Sequence, residues 1–149
     1  SGGRMTGEQL FLRYAFPCAE SRVIRGKLDE AHLEKLKSLA QSGGQPNRQL
    51  LRYCFPHAFR RLREFGKSQG LTDGAWWSLE TVRCFWRQHH GHRGECQLRR
   101  VVVGSVEGRL VSAIFNDTQV KAINFYNLPI RVGEEVYLHL GVVVEKAES

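Results

Sequence analysis

The sequence predicts an α+β protein, with an N-terminal helical domain over residues 1–94 and a small OB-like or SH3-like β-barrel over 95–149. Three observations carry this prediction. Up to about His90 the apolar residues recur at helical spacing, and from Cys96 onward they alternate or form short runs between glycine-containing turns. The charge changes at the same place: Ser1–Glu95 carries 16 Lys and Arg against 9 Asp and Glu, whereas Cys96–Ser149 carries six of each. Finally, five short apolar runs fall within the last ~50 residues, the density of a small barrel. Helices first and strands afterwards, segregated along the chain, define the α+β class.

In the helical part, Thr6 is placed to cap a helix carrying Leu10, Phe11, Tyr14 and Ala15, which Pro17 is expected to stop. Asp29 caps a second, with Leu33, Leu36, Leu39 and Ala40 on one face and Gly43-Gly44 as its terminator. Pro46 suits the first turn of a third, carrying Leu50, Leu51 and Tyr53. After Pro56 the apolar positions Phe59, Leu62 and Phe65 continue at helical spacing to Gly66. Thr72-Asp73-Gly74 reads as a turn, and Ser78 caps a last helix with Leu79, Val82, Phe85 and Trp86 inward. In the barrel, a first strand through Leu98, Val101, Val103 and Val106 ends at the hairpin-like Glu107-Gly108. Leu110–Phe115, Val120–Phe125, Val136–Leu140 and Val142–Val144 complete the set, with Leu128-Pro129 breaking the run between the third and fourth.

At 149 residues, 42% apolar and 25% charged, the composition excludes a disordered tail, a collagen-like fibre and a coiled-coil rod. A chain of this length buries about two-thirds of its unfolded surface and needs no disulfides to fold. No apolar run approaches the roughly 20 residues of a membrane span, and the start, Ser1-Gly2-Gly3-Arg4-Met5, has no apolar signal region. A cytoplasmic location and reduced thiols are therefore expected. The cysteines, Cys18, Cys54, Cys84 and Cys96, include no CxxC pair, which excludes a zinc ribbon and a thioredoxin motif.

One segment repeats. Leu12-Arg13-Tyr14-Ala15-Phe16-Pro17-Cys18-Ala19 returns 39 residues later as Leu51-Arg52-Tyr53-Cys54-Phe55-Pro56-His57-Ala58, with six of eight positions identical. Either a duplicated helical hairpin packs its Tyr and Phe in the core, or the two copies form a recognition surface through Arg13 and Arg52.

Cys84, His89, His90, His92 and Cys96 lie close together at the junction of the two domains. Imidazole and thiolate together suit zinc, nickel or iron. Histidines at a helix C-terminus also have a plain electrostatic role there, and the alternative reading is a polar linker.

The barrel ends with Val132-Gly133-Glu134-Glu135-Val136-Tyr137-Leu138-His139-Leu140-Gly141. This block resembles the V-G-[DE]-x-V-x-x-H-x-G signature of the HypC/HupF class of hydrogenase maturation chaperones, in which it closes a small OB-like barrel that begins with a cysteine. Cys96 stands at the start of this barrel, 43 residues before His139. The resemblance implies that Cys96 and His139 hold iron as an Fe(CN)2CO unit during assembly of a [NiFe] hydrogenase centre. A soft thiolate and an imidazole can hold low-spin iron while leaving coordination positions open. The other reading of His139 is a strand histidine that fills a groove.

The basic helical half supplies Arg60, Arg61, Arg63, Arg83 and Arg87, interleaved with Trp76, Trp77 and Trp86. Such a set suits nucleic acid, by phosphate neutralisation and base stacking, with Phe125-Tyr126 as a stacking candidate in the barrel. It equally suits docking of an acidic protein, the rings then being core. No nucleophile elbow, phosphate loop, HExxH or paired catalytic carboxylates occur, and Glu134-Glu135 reads as a solvated turn. The expectation is a non-catalytic binding or assembly factor: an accessory or maturation protein for a [NiFe] hydrogenase, with a hydrogenase subunit or maturation factor as partner and iron or another transition metal as cofactor. The alternatives are a nucleic-acid-binding protein and a structural subunit whose barrel has lost the metal.

Overall fold

The computed structural model describes residues 4–89 and 98–147. The chain divides into two compact units, residues 1–90 and 91–149; the expected boundary at 94/95 lies outside the described residues. No helix among the described residues is long and apolar enough to cross a membrane.

The first unit is helical: α1 (Gly7–Ala15), a 3-10 turn (Phe16–Cys18), α2 (Ala19–Ile24), α3 (Glu30–Ser42), α4 (Arg48–Cys54), α5 (Pro56–Ser68), a 3-10 turn (Ala75–Trp77), α6 (Leu79–Cys84) and a π-helical turn (Phe85–His89). Local chemistry sets most of the starts. Thr6 and Gln9 form a capping box, Thr6 Oγ1 accepting from Gln9 N at 3.1 Å and Gln9 Oε1 from Thr6 N at 2.8 Å. Asp29, Asn47 and Ser78 accept from the backbone N–H three residues on in the same way. Gly43 ends α3 in the left-handed region at φ 72°.

Helix α1 ends at Ala15, just before Pro17 as expected, and the chain passes through a 3-10 turn, where the missing N–H of Pro17 costs nothing, into α2. Two expectations are corrected. Pro46 precedes the Asn47 cap instead of sitting in the first turn of α4. Helix α5 runs through Gly66 to Ser68, since a Cβ at Gly66 would lie 2.5 Å from Trp76 Cβ; the glycine there serves packing, not termination.

The core of this unit is aromatic. Phe11, Tyr14 and Trp86 are at most 1% exposed. Tyr14 stacks on Trp86 with centroids 5.5 Å apart and planes 14° apart, while Phe11 lies edge-on to Trp86 and 5.3 Å from Trp77. Gly7, in the first turn of α1, lies directly against the Trp77 carbonyl.

The second unit is a closed barrel of β1 (Arg99–Glu107), β2 (Leu110–Phe115), β3 (Thr118–Ile123), β4 (Glu135–His139) and β5 (Val142–Lys146), in the order β1-β2-β3-β5-β4 with β4 pairing back to β1. Every pairing is antiparallel except β3 with β5. The third strand starts and ends two residues earlier than the sequence pattern suggested: Thr118 already pairs with Phe115 across the turn, and beyond Ile123 the Asn124 side chain is engaged with the next loop. Val101, Val103, Val111, Ala113, Ala122, Val136, Leu138 and Val143 fill the interior. Register shifts between Val103 and Ser105, and between Tyr137 and Leu138, add the local bending that a five-stranded closure requires.

Asn124 is 4% exposed and clamps the loop after β3: Oδ1 accepts from Leu128 N and Nδ2 donates to Leu128 O, both at 2.9 Å. Removing both bonds takes the side-chain partner from Leu128 N, while Leu128 O keeps Ile130 N at 2.9 Å, so Asn124→Ala should destabilise the barrel by about 1–2 kcal/mol in denaturant titration. The β4–β5 turn has Leu140 at φ 52° and Gly141 at φ 77°, a conformation that favours Asn and Gly over a Cβ-branched or bulky residue. Leu140→Asn should raise barrel stability by about 1 kcal/mol, measured the same way.

Candidate functional site

Helix α5 presents the most concentrated charge. Phe55, at φ −131° and ψ 61°, separates α4 from α5 and lets Pro56 begin the new helix. One face then buries Ala58, Phe59, Leu62 and Gly66. The helical period therefore sends His57, Arg60, Arg61, Glu64 and Lys67 to solvent, and all five are exposed. Arg60 Nη2 lies 3.2 Å from His57 Nδ1. Burial, followed by the charges of Arg60 and Arg61, holds the His57 pKa below its ordinary value, so the imidazole stays neutral near pH 7. At the end of α4, exposed Arg52 places its guanidinium 5.4 Å from the centroid of the Phe59 ring.

The five arginines singled out from sequence thus divide. Arg60 and Arg61 are exposed on α5, whereas Arg63, Arg83 and Arg87 are half-buried. Arg87 reaches Tyr14 Oη with Nε at 3.5 Å, tying it to the aromatic core. Lys67 was missed; it stands seven residues after Arg60, a spacing that places it on the same stripe.

The tryptophans correct the base-stacking expectation. Trp76, Trp77 and Trp86 are 5%, 3% and 1% exposed, so their faces are committed to the core. On the barrel, the outward residues of β2 and β3 are Leu110, Ser112, Ile114, Gln119, Lys121 and Ile123, with no aromatic ring among them. Phe125 and Tyr126 are half-buried and pack edge-to-face on each other, with centroids 5.2 Å apart.

The repeat diverges as well. Tyr14 is fully buried, but Tyr53 is 62% exposed and lies against His32, ring centroids 4.7 Å apart. The proline of the first copy continues a helical path and that of the second opens α5, so matching residues meet different surroundings. Both phenylalanines do pack in the core, Phe16 at 9% and Phe55 at 4% exposure.

His139 closes β4, 1% exposed and paired across the ladder with Val142. Cys96, His90 and His92 lie outside the described residues, as does the side chain of His89. Among the described residues, no three His, Cys, Asp or Glu side chains come together as a metal site. Cys18, Cys54 and Cys84 are not joined in disulfides, and burial with the nearby Asp29 charge pushes the Cys54 thiol up to about 11. Glu134 and Glu135 are engaged, not merely solvated. Glu134 pairs with Lys146 at 3.1 Å and accepts from Arg131 N at 2.7 Å, and Glu135 takes a two-pronged contact from Arg100 at 2.8 and 3.1 Å. Those contacts hold both carboxyls below their ordinary pKa. No known protein family, characterised protein or solved structure matches this chain.

Proposed function

We propose that the chain is a non-catalytic assembly factor that docks an acidic protein partner through the exposed face of α5. The observation that carries this reading is the pairing of a solvent-facing Arg60, Arg61 and Lys67 stripe with tryptophans wholly withdrawn into the core. Phosphate binding to single strands without stacking platforms loses about 1–3 kcal/mol per base, whereas protein docking needs only complementary charge around an apolar anchor. The barrel is of the OB type on this reading, supported by its 1-2-3-5-4 strand order with β3 parallel to β5. The HypC/HupF resemblance extends the proposal: the client is a metalloenzyme precursor of the [NiFe] hydrogenase kind, handled in the cytoplasm, with Cys96 and His139 as the iron-holding pair. If the pair carries iron, the anaerobically purified chain should show infrared stretches of iron-bound cyanide and carbon monoxide, lost in Cys96→Ala and His139→Ala. Iron-free protein recovered from cells that also make the delivery machinery would remove the iron-carrier part.

The competing reading, nucleic-acid binding, is tested by titrating short RNA and DNA oligonucleotides. Micromolar or weaker affinity at physiological salt is expected. Tighter binding that falls by about 0.9 log units per neutralised phosphate for each tenfold rise in salt would replace the protein-docking proposal.

A further inference from the structure

An antiparallel sheet with one face on a core and the other in water alternates apolar with polar residues. The outer face of this barrel departs from that rule. In β2 the residues that point away from the interior are Leu110, Ser112 and Ile114, flanking the buried Val111 and Ala113. The ladders set two of them beside further aliphatics: Val102 pairs with Ile114, and Leu110 with Ile123. All four aliphatics are well exposed, Val102 at 39%, Ile123 at 47%, Ile114 at 50% and Leu110 at 64%. Between these two rows runs a low one, in which Ser112 pairs with Ser105 on one side and Lys121 on the other. Gly104, at the register shift in β1, adds no side chain there. The face carries one exposed charge of each sign: Glu107, opposite Leu110, and Lys121. Neither has an ion pair among the described residues.

We propose that this outer face of β1, β2 and β3 packs on the same face of a second copy of the chain, about a two-fold axis that runs along β2 through Ser112. Sheets stack about 10 Å apart with their strands within about 30° of each other. That axis sets Ile114 on Ile114, Ser112 on Ser112 and Leu110 on Leu110, so aliphatic meets aliphatic and small meets small. It also carries Lys121 of the second copy over Ser105, whose short side chain leaves room. Glu107 stands one row on, about 7 Å along the strand, within reach of that ammonium. The pair forms twice, because the interface is isologous. An axis across the strands is excluded, since it would lay Lys121 on Lys121. Charge also favours a second copy over an acidic partner. Residues 96–149 carry six cations and six anions, so two barrels meet without net repulsion. An acidic partner would find one cation and one anion on this face and gain nothing from its own charge. Three short strands a side make a small interface, so the dimer is weak, with a dissociation constant of about 10–100 μM.

The test is analytical ultracentrifugation of the full chain from about 1 to 300 μM, a range that brackets the expected constant. A reversible monomer–dimer equilibrium is expected. Ile114→Lys changes an outward, half-exposed position, so it should leave Tm within about 2 °C while weakening association by about tenfold or more. Glu107→Lys and Lys121→Glu should each weaken association by about threefold to tenfold. Combined, the two should restore it, which independent local effects of the substitutions would not do. A chain that stays monomeric across the whole range overturns the proposal. So does dimerisation that Ile114→Lys leaves unchanged, or a charge-swapped double variant that associates no better than the single ones. Capture of an acidic protein by a monomeric native chain, lost in Ile114→Lys, would overturn it in favour of that partner.

Discussion

Trp86→Ala is expected to lower the melting temperature of the helical unit by roughly 15 °C or more. Trp86 is 1% exposed, stacks on Tyr14, and meets Phe11 and Phe85 edge-on at 5.5 and 5.4 Å. Truncation leaves a cavity bounded by three rigid rings, which cannot collapse into it by a small rotation. Cavities of this kind cost about 3–5 kcal/mol, a large part of the about 5–15 kcal/mol that holds a domain together. In a unit of this size each kcal/mol moves Tm by about 4–8 °C, so a fall of roughly 15 °C or more is expected. Thermal unfolding followed by near-ultraviolet circular dichroism reports it directly. A shift below about 5 °C would mean that the aromatic cluster is not what stabilises this unit.

Gly7→Ala sets two effects of opposite sign against each other. Glycine inside a helix costs about 1 kcal/mol relative to alanine, so propensity alone predicts stabilisation. The added Cβ would lie 1.8 Å from the Trp77 carbonyl oxygen and 2.7 Å from its carbon, and both are backbone atoms that no rotamer change can move. Helix α1 would have to withdraw, opening the contacts of Phe11 with Trp77. Overpacking of a tight contact costs typically 1–3 kcal/mol and here should lie at or above the upper end. A net loss of about 2 kcal/mol or more is expected in chemical denaturation. Any gain in stability would show that the α1–Trp77 contact is looser than described.

Much of this architecture is legible in the sequence for identifiable reasons. Helix starts are written in short-range chemistry, which is why Thr6, Asp29 and Ser78 are all found as caps. The strands follow from alternation and from turn residues, and Glu107-Gly108 forms the hairpin its composition suggests, with Gly108 at φ 62°. What the sequence could not disclose is what each residue packs against. Gly66 reads as a helix stop and is a packing site for Trp76. Tyr14 and Tyr53 occupy equivalent positions of a repeat, yet one is core and the other surface, because long-range neighbours decide burial. The three tryptophans illustrate the same limit: composition places them beside arginines, and tertiary packing removes them from solvent. The arginines themselves could be sorted only once the buried face of α5 was fixed by Phe59 and Leu62, which sends Arg60, Arg61 and Lys67 outward together.

The central claim is that this outward stripe docks an acidic protein partner. Its most direct test is affinity capture from the extract of the source cells, comparing the native chain with the Arg60→Glu/Arg61→Glu double variant. Both substitutions lie on solvent-exposed positions and should leave Tm within about 2 °C, so a change in capture reports binding and not folding. The account predicts that the native chain retains an acidic protein, a hydrogenase subunit or maturation factor on the reading proposed above. It predicts that the double variant loses that protein at low salt, where steering by complementary charge is strongest. Retention of the same partner by the double variant, or capture of nucleic acid in its place by the native chain alone, would contradict it.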